Sequence, residues 1–331
     1  MIRFKEFLSL YLYEDDNKKT DVQTNGDMHE LLTGYHLLGG KHMENPPNSK
    51  KETPEEAHDR IKKTMTPQDY DDHFQRAKLA ADAIFKHVGG RENIGHVQRS
   101  AKSGDVKKIT GVEKTQNEDS SDIYITKKNG KHLGISLKAH KEKGKPAHIK
   151  APGLGAIENS LGFKQSSQNM IDTSRKKLED KYGDEIKGKS RAELKKIVPK
   201  NPQLKADEAA ERKKLLPAIA SRWHKAYSQL PKPELARHLR NLLHANNTGQ
   251  DHIRVVSSGI NGNYHTSLIN PHIDYDHYLN DHNNLDVTHE DNSVNFRHKG
   301  KIILSLRAKT EGAAGILKTI KSDTQLTGNS K

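Results

Sequence analysis

One stretch constrains this chain more than any other. Between residues 121 and 140 (SDIYITKKNGKHLGISLKAH), apolar residues recur at every second position on both sides of Asn129-Gly130. A period of two is a strand pattern, and Asn-Gly between two such runs marks a hairpin. A two-residue turn would pair Lys128 with Lys131, which sets Ile123 opposite Ser136 and Ile125 opposite Gly134, so the apolar faces disagree. A three-residue loop, Lys128-Asn129-Gly130, with Gly130 left-handed in a bulge, pairs Lys127 with Lys131 instead. Ile123 then faces Ile135, Ile125 faces Leu133, and Leu137 extends the stripe. A slip of one residue would invert every side chain, so burial selects the three-residue loop. The opposite face then gathers Asp122 across from Ser136, with Lys138 two residues further on. That trio reads either as an exposed polar face with an ion pair of little worth or as the beginning of a site.

Around the hairpin the pattern is helical, then extended again. Asp27-Met-His-Glu30 opens a helix with a capping-box pattern, and Met28, Leu31, Leu32, Tyr35 and Leu38 follow at helical spacing before Gly39-Gly40. Thr53-Pro54 with Glu56, and Thr66-Pro67, are two more helix starts, the second running to about Val88. From about 105 the period changes to two, with KKITGVEKT as a strand ahead of the hairpin. Residues 141–165 read as a Lys/Gly/Pro-rich loop and 166–246 as charged helices. Strand patterns return at 252–258 and 292–309, and a short helix near Ala313–Ile320 precedes a tail. The order of elements implies an α/β or α+β fold. The expected divisions are 1–104 (N-terminal helices, with the first core helix at 27–38), 105–165 (core hairpin), 166–248 (helical insertion), 249–322 (strands completing the sheet) and 323–331 (disordered tail). No internal repeat is visible.

Composition narrows the chemistry. The 331 residues carry 56 Lys and Arg against 43 Asp and Glu, a net charge of +13, and no Cys. A disulfide framework, a thiol nucleophile and a Cys-based zinc site are thereby excluded. No run approaches the length of a membrane span, and the N-terminal MIRFKEFLSLYLYEDD reads as an opening helix rather than a signal peptide. The basic balance points to a polyanionic partner, which charge alone does not identify.

The trio on the hairpin carries a family resemblance. Ser121-Asp122, thirteen intervening residues and then Ser136-Leu137-Lys138 resemble the PD-(D/E)xK motif of the restriction-endonuclease-like nuclease superfamily. In that family an Asp opens one strand, an acidic residue and a Lys sit on the next, and a preceding helix often adds a Glu. The resemblance implies a mixed-sheet core flanked by helices, here with a large helical insertion, and a DNA-cleaving enzyme (RNA is the alternative substrate). It implies Mg2+ or Mn2+ as cofactor, Asp122, Ser136, Lys138 and Glu30 as catalytic residues, and Asp122 with Glu30 or Glu113 as metal ligands. Two positions depart from the pattern: Ser121 replaces the Pro, and Ser136 replaces the middle acid. The second departure leaves open a catalytically inactive nucleic-acid-binding or virion-associated protein on the same scaffold. Read from the sequence alone, Glu30 fits better as the partner of Asp27 in a capping box, and Glu113 as a solvated strand residue. The opening MIRFKEFL, Gly26-Asp27-Met28-His29-Glu30 and Gly39-Gly40-Lys41-His42-Met43 are similar to segments of tailed-phage proteins. Host cytoplasm or virion is the expected location, with no membrane and no nucleotide cofactor.

A second hairpin adds cations. A three-residue loop, His298-Lys299-Gly300, would place Phe296 opposite Ile302 and Val294 opposite Leu304, with Leu306 extending the stripe. Arg297, Lys301, Ser305, Arg307 and Lys309 would share the other face. Alternating cations suit phosphate contacts, and equally suit a solvated sheet face. Lys141 and Lys145 in the loop after the first hairpin extend the expected nucleic-acid surface. The GxxxxGK[ST] match at Gly183–Ser190 follows a charged helical run rather than a buried strand, so it is read as a capping box of Ser190 with Glu193. The group His272, Asp274, Asp276, His277, Asp281 and His282 fits no zinc spacing.

Overall fold

The computed structural model describes residues 21–46, 52–100, 104–113, 121–141, 147–150, 153–243, 251–310, 314–317 and 320–326. Ten strands lie among them: β1 (Ile94–Arg99), β2 (Ile123–Lys127), β3 (His132–His140), β4 (Ala147–Lys150), β5 (Asp251–Ile260), β6 (Asn263–Ile269), β7 (Leu285–Glu290), β8 (Ser293–His298), β9 (Lys301–Thr310) and β10 (Ile320–Leu326). With the helices they make a mixed α+β chain, the class the alternating periods imply. The strands form two five-stranded sheets, ordered β1-β2-β3-β5-β6 and β4-β10-β9-β8-β7. The chain divides accordingly into two compact units: Met1–Glu113, Ser121–Lys143 and Val255–Leu268 make the first, and Lys114–Ser120, Gly144–Arg254 and Ile269–Lys331 the second. The strands after residue 249 therefore do not all complete one sheet. β5 and β6 join the first, and those from 285 onward build the second.

In the first unit, α1 (Asp21–Leu37), α2 (Pro54–Lys62) and α3 (Pro67–Val88) precede β1, and α4 (Asp105–Thr110) follows it. Thr53 and Thr66 accept hydrogen bonds from the backbone of Glu56 and Asp69, and Gly89 closes α3 at φ 80°. The hairpin β2–β3 has the register that burial demands: Ile123 pairs with Ile135 and Ile125 with Leu133, and Lys127 N–H donates to Lys131 O at 2.8 Å. Gly130 sits at φ 79°, as the loop requires. Ile123, Ile125, Leu133 and Ile135 are fully buried, as are Met28 and Ile84 of the helices.

Several expectations give way here. Helix α1 begins at Asp21, so Asp27 and Glu30 stand inside it rather than at its cap. The segment expected as a strand from 107 is helical to Thr110. The strand that pairs with β2 is β1, where Gly95 falls at a bulge between the Ile94 and His96 pairings and breaks the period of two.

The second unit carries α5 (Leu154–Ser160), α6 (Gln168–Tyr182), α7 (Arg191–Lys200), α8 (Pro202–Gln229), α9 (Lys232–Leu242), α10 (Pro271–Asp274) and α11 (Asp276–Asn280). Ile219, Trp223 and Tyr227 of α8 are buried, and the Tyr227 ring meets Phe296 of β8 edge-on at 4.9 Å between centroids. The second hairpin turns through two residues, Lys299 and Gly300, both left-handed at φ 49° and 80°. Phe296 pairs with Leu304 rather than Ile302, and Val294 with Leu306 rather than Leu304, because a bulge between Phe296 and Arg297 follows the two-residue turn and keeps the apolar side chains on one face. Residues 320–326 are a strand paired with β9 along its length, not a helix end and a loose tail. The stretch read as a loop from 141 to 165 contains β4 and α5.

Candidate active site

Asp122 is held by the backbone on both sides. Its N–H donates to Ile135 O at 2.8 Å, and its carbonyl accepts from Ser100 N–H at 3.0 Å. With its main chain fixed between β1 and β3, the side chain projects on the face away from Ile123 and Ile135, as strand alternation dictates. Its Oδ2 accepts from Leu137 N–H at 2.6 Å, Lys138 Nζ at 3.3 Å and Ser136 Oγ at 3.4 Å. Oδ1 accepts no hydrogen bond among the described residues. The Asp122 and Lys138 side chains are 23% and 33% exposed, whereas Ser136 is fully buried. Asp122, Ser136 and Lys138 are therefore brought together, with one carboxylate oxygen left over.

Helix α1 adds acids to this corner. Glu30 accepts from Arg99 Nε and Nη2 at 3.4 Å each, and Asp27 accepts from Arg99 Nη2 at 3.0 Å. Arg99 ends β1 directly across from Ile123, the residue after Asp122. Burial first, and the charge of Asp122 second, push the Glu30 carboxyl up to about 8, against the opposing pull of Arg99 and Lys138. Three carboxylates thus crowd two cations, and Glu30 keeps its proton because an ionised third acid would be poorly compensated.

Next to Glu30 on α1, His29 is 1% exposed, and neither ring nitrogen has a hydrogen-bond partner among the described residues. Burial, followed by His73, Arg76, Lys138 and His140, holds its pKa well below the usual range, so the ring is neutral.

The remaining candidates lie elsewhere. Glu113 is 79% exposed and pairs with Lys107 at 2.9 Å, and it is not among the charges that act on Glu30. Lys141 pairs with Asp69 at 2.9 Å, and Lys145 lies outside the described residues. In the second unit, Arg297 donates to Thr288 Oγ1 and Gly300 O, Lys301 is exposed, and Arg307 and Lys309 both reach the buried Asp323, at 3.2 and 3.3 Å. Ser190 with Glu193 forms the capping box of α7. Asp274 caps Asn270, Asp276 pairs with Arg240, and Asp281 with His298 and Lys299, so those acids serve local structure. Arg99 and Asp27 escaped the sequence reading. The signal for Arg99 was its place at the end of β1, which the Gly95 bulge concealed.

Among the described residues no group of three or more His, Asp or Glu stands together as a metal-holding cluster, and this corner offers a divalent cation two carboxylates, Asp122 and Glu30. Mg2+ prefers oxygen and commonly binds through one or two carboxylates plus waters. Asp122 has a free Oδ1, and burial first, with the charge of Asp122 second, keeps Glu30 protonated until a cation would favour its ionised form.

No protein-family model and no curated protein matches this chain. Among solved structures, restriction endonuclease MspI in complex with its cognate DNA aligns over 80% of this chain and 82% of its own, at 11% identity and a TM-score of 0.29. A TM-score that low falls short of a common fold. No helix among the described residues is long and apolar enough to cross a membrane.

Proposed function

We propose that the first unit is a divalent-metal-dependent nuclease of PD-(D/E)xK type that hydrolyses phosphodiester bonds in DNA. One observation carries the reading: Asp122 and Lys138 meet at 3.3 Å on one face of the hairpin, with the protonated Glu30 under the influence of both. Asp122 and Glu30 would hold Mg2+ or Mn2+, which when bound lowers the pKa of water and offsets charge on the phosphate. Lys138 has the reach to orient the attacking water and to donate to a phosphate oxygen as charge builds there. Ser136 Oγ–H and Leu137 N–H fix the Asp122 carboxylate so that Oδ1 is presented in one direction. Arg99 keeps Asp27 and Glu30 together on α1, and Glu30 would be a ligand in its ionised form.

Asp122→Ala and Lys138→Ala should each lower Mg2+-dependent nicking of a supercoiled plasmid by roughly 10²–10⁴-fold, the usual worth of a positioned acid–base group. Undiminished cleavage by both variants rejects the assignment. A second reading, a binding protein without turnover, is favoured by Ser136, which has no carboxylate and no exposure. It is distinguished by salt-dependent DNA binding with no cleavage at any Mg2+ or Mn2+ concentration.

A further inference from the structure

We propose that the second unit repeats the strand plan of the first and carries, beside Asn295 and Ser305, a cationic pair, Arg307 and Lys309, that grips the DNA backbone without cutting it. The inference rests on the reading of the first unit as a DNA enzyme and extends it to a site of different chemistry.

Both units place a single 3₁₀ turn, Arg91–Asn93 and His282–Asn284, directly before three antiparallel strands, the first two of which are joined through α4 in the first unit and by a short turn in the second. A fourth strand lies beside the third in each case, giving β1-β2-β3-β5 and β7-β8-β9-β10. The hairpin turn is tied to the 3₁₀ turn by the same bond: Lys128 N–H donates to Asn93 O at 2.9 Å, and Lys299 N–H to Asn284 O at 3.2 Å. The third strands share a pattern, Ile135-Ser136-Leu137-Lys138-Ala139 and Leu304-Ser305-Leu306-Arg307-Ala308. The cross-strand contact recurs as well. Asn295 pairs with Ser305, whose Oγ donates to Asn295 Oδ1 at 2.6 Å, as Ser136 Oγ donates to Asp122 Oδ2 at 3.4 Å. The repeat is hidden in the sequence because the two hairpins differ in length, with 14 residues from Asp122 to Ser136 and 10 from Asn295 to Ser305.

The differences decide the chemistry. An amide replaces the carboxylate, which removes the charge a hard divalent cation needs. Arg replaces Lys, and a guanidinium fork suits a phosphate better than an ammonium does. Arg307 and Lys309 are 37% and 34% exposed, and Asp323, at 2%, holds both in place while neutralising only one of the two. What remains at the surface is a cationic pair whose one anchoring carboxylate, Asp323, is engaged by both, above a buried Asn295 that is held by Ser305 Oγ and donates to Glu290 at 3.5 Å.

The test measures the Kd of Asp122→Ala protein for a DNA duplex without divalent metal as NaCl is raised, with Arg307→Gln or Lys309→Gln added. Both additions should weaken binding several-fold and lower the log–log salt slope by about 0.9, the worth of one released counterion. Arg307→Lys should keep the slope. Circular dichroism checks folding. Lys309→Gln leaves the Arg307–Asp323 pair intact, so it reads the site even if Arg307→Gln unfolds. Tight binding by the Asp122→Ala parent with unchanged Kd and slope in the folded Gln variants overturns this inference alone. No binding by the parent overturns it together with the DNA reading of the first unit.

Discussion

Glu30 is where the chemistry of this chain is most exposed to measurement. Its carboxyl sits at about 8 in the folded protein against 4.5 ordinarily, so between those values the folded chain binds a proton that the unfolded chain has released. The stability that protonated Glu30 contributes is complete below 4.5 and is lost as pH climbs towards 8. Thermal unfolding without divalent metal should therefore show a fall in Tm across that window, and Glu30→Gln should flatten it. Parallel profiles would show that Glu30 is not the titrating group. Mg2+ should raise Tm more at the alkaline end, because it binds the ionised form. Arg99 makes a second residue-scale case. It is 12% exposed and is the shared partner of Asp27 and Glu30. Arg99→Ala removes the cation that Asp27 shares with the protonated Glu30 in a poorly solvated corner and should cost about 1–3 kcal/mol in denaturant unfolding, the worth of hydrogen bonds from a charged group. A loss under about 1 kcal/mol would mean that the pair is a surface one.

At the scale of elements, the first hairpin was legible because only one register buries Ile123, Ile125, Leu133 and Ile135 together. Its loop can be tested directly. Gly130 is at φ 79° with open space around its missing Cβ, so Gly130→Ala meets no clash and pays only the left-handed backbone penalty of about 1–2 kcal/mol. A neutral result would mean that the loop adopts another turn. The second hairpin was less legible. A two-residue turn alone would set Phe296 opposite Ile303 and send Leu304 and Leu306 to the other face, and the bulge after Phe296 that brings them back depends on neighbouring strands. Strand β1 was hidden for a related reason, since Gly95 inserts a residue and leaves Ile94 and Val97 out of step. The acid from α1 was placed correctly as a candidate, but its helix starts too early for a capping box, and Arg99, the residue that gathers Asp27 and Glu30, lay in a segment with no strand signal.

For the whole molecule, the division of strands between two sheets could not be read from periodicity, which fixes faces but not partners. β5 and β6 return to the first sheet after a long helical excursion, and β4 crosses into the second. That arrangement gives the chain one acid-bearing hairpin and one acid-free hairpin, each with its own cations. If the first is a metal centre, a single saturable Mn2+ site should exist per chain, and its occupancy should depend on Glu30 and Asp122 but not on Asn295 or Asp323. Binding is a cleaner measure than turnover, because a trace of contaminating nuclease cannot imitate it. Mn2+ titration followed by electron paramagnetic resonance should show one tight ion in the wild-type protein and its loss in both Asp122→Ala and Glu30→Gln. Equal Mn2+ binding by all three proteins would contradict the metal centre on which the proposed function stands.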